Sequence, residues 1–271
     1  MARLETMTDA PTPVPRLTDP ASTIKLVLAL GVVAAAFLYS LAQLGIDFQR
    51  VIDGFGRFGQ FAERAFPPDA VALGRLWQPA IETVQVAFIG TAIGIVLSLF
   101  LGALAAKNLA PARIVSIALK GSFGLVRAVP ALIWALLFIV AVGLGPLPGI
   151  LALAVNSVGM LGKIFSETFE EVDRGVVEAL RATGAGWGRV FLQGVVPETL
   201  PRLLSWSIFR LDINVRYSAI LGIVGAGGIG WELTRASRMG DYASAVTVTL
   251  VIFAIVFAIE LITDRLRRWV L

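Results

Sequence analysis

At 271 residues the chain is long enough for one or two soluble domains, but 57% hydrophobic against 15% charged residues lies outside the globular balance and points to a membrane. With neither Cys nor His, disulfides, thiolate chemistry, His-based metal sites and imidazole proton transfer are excluded, and most enzyme classes with them. The net charge of +4 is what basic loops between membrane spans produce, so it carries no argument for nucleic acid.

Residues 1–23 are polar and contain Pro11, Pro13, Pro15 and Pro20, the composition of a disordered cytoplasmic tail. From Ile24 to Gly45 runs the first apolar stretch, which lacks a small-x-small cleavage site and reads as a retained span. Residues 46–79 interleave Phe48, Phe55, Phe58, Phe61 and Phe66 with Arg50, Arg57 and Arg64, a pattern suited to a helix in the headgroup layer. A helix needs about 20 apolar residues to cross roughly 30 Å of hydrocarbon. Further spans of that kind are predicted over Ile81–Ala106, Phe123–Val142, Ile150–Phe165, Leu203–Val224 and Ala243–Ile262, about six in all. Three connections stand out between them: the uncharged turn 143–149, the polar stretch Ser166–Arg202, and GAGGIG at Gly225–Gly230 followed by a charged loop to Tyr242.

Lys107, Arg113 and Lys120 fall between the second and third spans with no acid among them, which makes that loop cytoplasmic. Alternation puts 166–202 and the terminal 265–271 on the same side. Both termini are then inside, and segment 46–79 is outside despite its four arginines.

The stretch EALRATGAGWGRVFLQGVVPETLPR carries the most specific signal. Val176–Thr183 favours helix, Gly184–Gly188 breaks it, and a second short helix is predicted from Arg189 until Pro197 ends it. Such a bent helical pair, protruding into the cytosol with Glu178 free for an ion pair, suits a groove on a soluble motor; a plain solvated linker is the alternative. The spacing is that of the coupling loop of ABC importer permeases: EAA, three residues, Gly, nine residues, I-x-L-P. Here Glu178, Ala179, Gly184 and Pro197 match, while Leu180, Gly194 and Val196 depart from it. Over roughly residues 75–264 the chain resembles such permeases, and ETVQVAFIGT at Glu82–Thr91, RAVPALIWALLF at Arg127–Phe138 and LDINVRYSAILGIVGAGGIG at Leu211–Gly230 resemble the phosphonate branch.

The resemblance implies an all-α polytopic bundle of the type I importer (MetI-like) architecture. Residues 24–79 would then be a first helix with an external segment, and 80–264 the transmembrane domain with its coupling loop at 166–202. It implies a homodimer in the bacterial inner membrane, two cytoplasmic ATPase subunits that bind the ATP and Mg, and a periplasmic or lipid-anchored solute-binding protein. No cofactor is expected in this chain. Coupling falls to Glu178, Ala179, Gly184, Val196 and Pro197, and the cargo to phosphonate, with phosphate, phosphite or an amino acid such as methionine as alternatives.

Ionisable residues inside spans are costly and mark function. The fifth span carries Arg210, Asp212, Asn214 and Arg216, spaced as two i, i+4 pairs. Either they face a translocation path, where guanidinium forks suit oxyanions, or they form a structural lock. Arg127 before Pro130 is open to gating or, more commonly, to snorkelling toward the headgroups. Asn156 suits an interhelical hydrogen bond. GAGGIG lacks the βαβ context of a dinucleotide site and instead permits a tight bend. No G-x-x-x-x-G-K-[ST] occurs, so any ATP motor is a separate polypeptide. A membrane enzyme lacks a reactive cluster, and a gradient-driven transporter would show paired broken helices that the sequence does not announce.

Overall fold

The computed structural model describes residues 20–45 and 47–270, and among these every regular element is helical. The chain is an all-α, multi-pass membrane bundle. Most of the expected N-terminal tail lies outside the described residues; its end, from Pro20, already belongs to α1 (Pro20–Gln43). Two compact units, Met1–Gln60 and Phe61–Leu271, divide the chain inside α2 (Phe48–Ala65).

In the first unit α1 is apolar and exposed along nearly its whole length, a surface stable only against lipid or another protein. In α2, Phe48, Phe55 and Phe58 stay exposed alongside Arg50 and Asp53, so this part of the expected segment is a helix that mixes apolar and charged residues on its surface. It ends at Ala65, however, not at residue 79. Asp69 accepts the Val71 N–H at 2.8 Å and starts α3 (Ala70–Ala105), which takes over the last ten residues of the expected interfacial segment. Pro79 deletes one donor without ending α3, because Leu76, one turn earlier, is buried against Ala219, Ile229 and Val248.

The span expected at Phe123–Val142 is not continuous. α4 (Arg113–Ala128) and α5 (Ala131–Val142) meet at 89°. Pro130 has no N–H for the Val126 carbonyl and drives Val129 into extended backbone (φ −93°, ψ 118°). That carbonyl instead accepts the Trp134 indole N–H at 3.4 Å, which steadies the corner.

α6 (Pro146–Glu170) overruns its expected 150–165 range at both ends. It lies along α3 at backbone contact: a Cβ on Gly94 would sit 2.4 Å from the Ser157 Cβ, and one on Gly90 2.8 Å from that of Leu153. Small residues four apart permit this approach where lipid gives no hydrophobic drive for helix pairing. After the α7 (Arg174–Ala182) and α8 (Trp187–Arg189) region comes α9 (Val196–Ile223), packed against α3, α6, α10 (Ile229–Arg238) and α11 (Tyr242–Val270). α10 replaces the charged loop expected there. The GAGGIG bend holds Gly225, Gly227 and Gly228 at φ of +99°, +82° and +77°, and it folds α10 so tightly back that Gly230 rests on the Ala219 carbonyl.

Among the described residues α1, α3, α6 and α11 are long and apolar enough to cross a membrane, and the bent α4–α5 pair makes five. α9, at 28 residues, has the length but carries Arg210, Asp212 and Arg216; counting it restores the six expected.

Candidate functional site

The polar stretch after α6 builds a knob at one end of the bundle. The Asp173 carboxylate accepts the Gly175 N–H at 2.8 Å and starts α7; Gly184, at φ +79°, turns the chain where the sequence predicted a break. α8 then passes into a π-helical segment, Val190–Val195, and this into α9. Pro197 therefore does not end the second helix, as had been expected, but sits in the first turn of α9. The π turn makes this tolerable: Val196 N–H reaches five residues back to the Phe191 carbonyl, and the widened turn just before Pro197 relieves the clash its ring makes with the preceding turn.

The knob's inner face is held by core packing. Val177, Val190, Phe191 and Val195 are buried with Leu161, Phe165 and Phe169. Phe191 meets Phe169 edge-on at 5.5 Å and stacks on Trp187 at 5.5 Å. Trp187 donates to the Leu109 carbonyl at 2.8 Å, and Asn108 donates to Phe169 O at 2.8 Å. Glu170 accepts from Lys120 Nζ and from the Lys107 N–H, both at 2.7 Å. The basic loop and the knob are thus one rigid corner. Trp187→Phe keeps the stack and deletes the donor, so a loss of about 1 kcal/mol is expected in the thermal unfolding of the detergent-purified chain.

The outer face carries the predicted coupling residues. Glu178, Ala179, Gly184 and Pro197 are exposed and Val196 is half-buried. Glu178 forms no ion pair among the described residues and borders a hollow of about 530 Å³ with Lys107, Asn108, Glu170 and Arg181. Two departures from the coupling pattern explain each other. A Cβ at Gly194 would lie 2.6 Å from Leu180 Cδ1 and 3.5 Å from Val176 Cγ1, so the larger residue at 180 fills the space that the smaller one at 194 leaves. Sequence reasoning treated them separately, since nothing in the spacing says the two face each other.

A second polar cluster lies halfway along α9. Arg210 is 3% exposed; its Nε donates to Ser157 Oγ at 2.9 Å, Nη2 to Asn156 Oδ1 at 2.6 Å and Nη1 to Met160 Sδ at 3.4 Å, all on α6. Asn214, fully buried, donates to Thr91 on α3 at 2.8 Å and to Ser157 at 2.9 Å. The pair predicted at i, i+4 therefore pins α9 to α3 and α6, and Asn156 makes the interhelical bond expected of it. Thr91, Ser157 and Met160 were not foreseen; small buried hydroxyls announce themselves only once their partner helix is known. Asp212 and Arg216 do form an ion pair, on a different face of α9 from Arg210, with Asp212 buried and the Arg216 side chain 48% exposed. Arg127 is exposed at the α4–α5 corner and lines the same cavity as Arg210, so the structure brings these two together and leaves Asp212 and Arg216 apart from them.

Comparison with known proteins adds an independent finding. A family model described as binding-protein-dependent transport system inner membrane component matches residues 94–271. The Mycolicibacterium smegmatis protein named phosphate-import permease protein PhnE is 41% identical over 245 residues, covering 90% of this chain and 44% of that protein. This chain thus spans less than half of that relative's length. The Stutzerimonas stutzeri phosphite transport system permease protein PtxC is 39% identical over 223 residues, 82% of this chain and 81% of the other. Among solved structures, an inward-facing MetNI methionine ABC transporter chain superimposes with a TM-score of 0.64 at 25% identity, over 75% of this chain and 99% of that one.

Proposed function

Because this chain belongs to the binding-protein-dependent transport system inner membrane component family, a family of multi-pass transport subunits, we propose that it is the permease of an ABC importer for a small phosphorus oxyanion. In this reading two copies form the translocation path, two separate cytoplasmic ATPase subunits bind the ATP and Mg, and an external solute-binding protein delivers the cargo. Both termini and the knob lie in the cytosol. The relatives named for phosphate and phosphite import support the cargo class, and phosphonate belongs to it.

The observation that carries the proposal is continuity. Glu178 and Ala179 stand on the outer face of the knob, while Val196 and Pro197 form the opening turn of α9, the helix that bears Arg210, Asp212, Asn214 and Arg216. From Trp187 through the π segment into the polar span the helix is unbroken, and α7 is packed on that segment through Val177, Val190 and Val195, so a displacement imposed on the knob is carried into α9. Because the inner face of the knob is core-packed, that displacement is a rigid-body tilt of helices, the kind of motion that exchanges an outward for an inward opening.

A sole thiol tests the arrangement, since the chain has no Cys. Ala179→Cys should react with an impermeant maleimide only from the cytoplasmic face, and should be shielded when the ATPase is bound. Proteoliposomes holding the chain, its ATPase and its binding protein should take up phosphate, phosphite or phosphonate only with MgATP. Uptake without ATP, or labelling of position 179 from outside, overturns the proposal.

A further inference from the structure

Between the α4–α5 corner, α6 and α9 lies an open cavity of about 540 Å³. Its lining includes Arg127 from the end of α4, the first turn of α5 at Pro130–Leu132, Asn156 from α6, and Arg210 and Tyr217 from α9. Among the described residues no Asp, Glu or Lys lines it. Neither arginine has a carboxylate partner among the described residues; of the nearby acids, Asp212 pairs with Arg216 and Glu170 with Lys120.

This is an unusual expense for a folded chain. A buried guanidinium with only neutral partners loses several kcal/mol of hydration that no counter-charge restores. Arg210 spends three N–H groups on Asn156, Ser157 and Met160. A guanidinium has five, so two remain. The second contribution comes from the break itself. α5 is a 12-residue helix whose start at Pro130 has no side-chain cap, and Pro130–Leu132 lines the cavity, so the N–H groups of Ala131 and Leu132 and the positive end of the helix dipole lie at its wall. Broken helices at mid-membrane that turn an N-terminus toward a cavity suit an anionic ligand.

We propose that this cavity is a binding station for a tetrahedral phosphorus oxyanion, held between the Arg127 and Arg210 guanidiniums and the N-terminus of α5. The inference rests on the permease reading and deepens it: selectivity is then imposed inside the membrane and not only by a delivering protein. Arg210, fixed by α6, is the preset half of the clamp. Arg127, exposed on the corner, is the half that closes.

Asn156→Asp is the sharpest test. It places a carboxylate where Asn156 Oδ1 already accepts from Arg210 at 2.6 Å, so the fold keeps its contact and gains a counter-ion while the cavity loses its uncompensated charge. The intact chain in phosphatidylcholine nanodiscs should bind radiolabelled phosphate and methylphosphonate saturably. Asn156→Asp should abolish that binding without lowering the melting temperature, and Arg127→Gln should weaken it about ten- to hundredfold, the worth of one charge-assisted pair. A lipid phosphate offers the same chemistry, so a parallel series uses discs doped with phosphatidylglycerol. Absence of saturable binding in phosphatidylcholine, unchanged binding by Asn156→Asp, or complete displacement by phosphatidylglycerol overturns the proposal. The outcomes separate from those of the function itself: ATP-driven uptake by an assembly whose permease binds no phosphate refutes only the station, whereas a permease that binds phosphate but imports without ATP refutes the importer.

Discussion

Gly194→Ile should break the coupling element, and Leu180→Ala should repair it. The substitution restores the residue type usual at this position of the coupling pattern, so a reading by motif alone expects improvement. Geometry expects the reverse. The added Cβ starts 2.6 Å from Leu180 Cδ1 and 3.5 Å from Val176 Cγ1, and a branched side chain cannot be placed there while both remain. Alanine at 194 would be milder, because Leu180 Cδ1 is the far end of a flexible side chain. Isoleucine has to lever α7 away from the π segment, opening the core that Val177, Val190 and Val195 share. Overpacking of this kind costs about 1–3 kcal/mol, and here the strain falls on the surface proposed to seat the ATPase. The expected result is a lowered melting temperature with loss of permease-stimulated ATP hydrolysis. The double variant Leu180→Ala/Gly194→Ile should recover most of both. If the two substitutions are additive in a double-mutant cycle, the complementarity is not real.

That pair also shows where the sequence stops being legible. The coupling spacing was readable because four residues matched a pattern whose reason is a bent helical knob, and the bend at Gly184 is where the glycine density put it. Leu180 and Gly194 read as two blemishes because their relation is tertiary. The same division holds through the membrane. Apolar runs located the spans, yet their ends were misplaced wherever burial overrode a local signal: Leu76 holds α3 together before Pro79, and the helix begins at Asp69. Proline at 130 permits a kink in the span expected at Phe123–Val142, but only the neighbours of α5 decide that the kink is a right angle. In α9 the charges were conspicuous and their i, i+4 spacing was right; which face each pair takes depends on Thr91 and Ser157, contributed from elsewhere. The sequence left the roles of path and lock open for all four. The structure divides them: Asn214 ties helices, Arg210 both ties helices and borders a cavity, and Asp212 with Arg216 stands on another face.

That last pair should respond asymmetrically. Asp212 is 7% exposed and its Oδ1 has no hydrogen-bond partner, so its charge depends on Arg216 through Oδ2 alone. Arg216 is the half-exposed member, with a long stem that can move its head toward other polar surface. Arg216→Met therefore strands a buried carboxylate, and removing one partner of a buried pair costs about 3–5 kcal/mol. Asp212→Asn releases an arginine that can relocate, and should cost distinctly less. The double variant Asp212→Asn/Arg216→Met removes both charges from mid-span and should return to within about 1 kcal/mol of the parent, since apolar replacement of a whole pair is often neutral. Thermal unfolding of the four proteins in one detergent measures the cycle. Equal losses from the two single variants would mean that Asp212 has a second, unseen support. Transport by the double variant then decides what the pair is for. A stable protein that still moves its cargo assigns Asp212 and Arg216 to holding α9, whereas a stable protein whose ATPase partner hydrolyses ATP without uptake assigns them to the path.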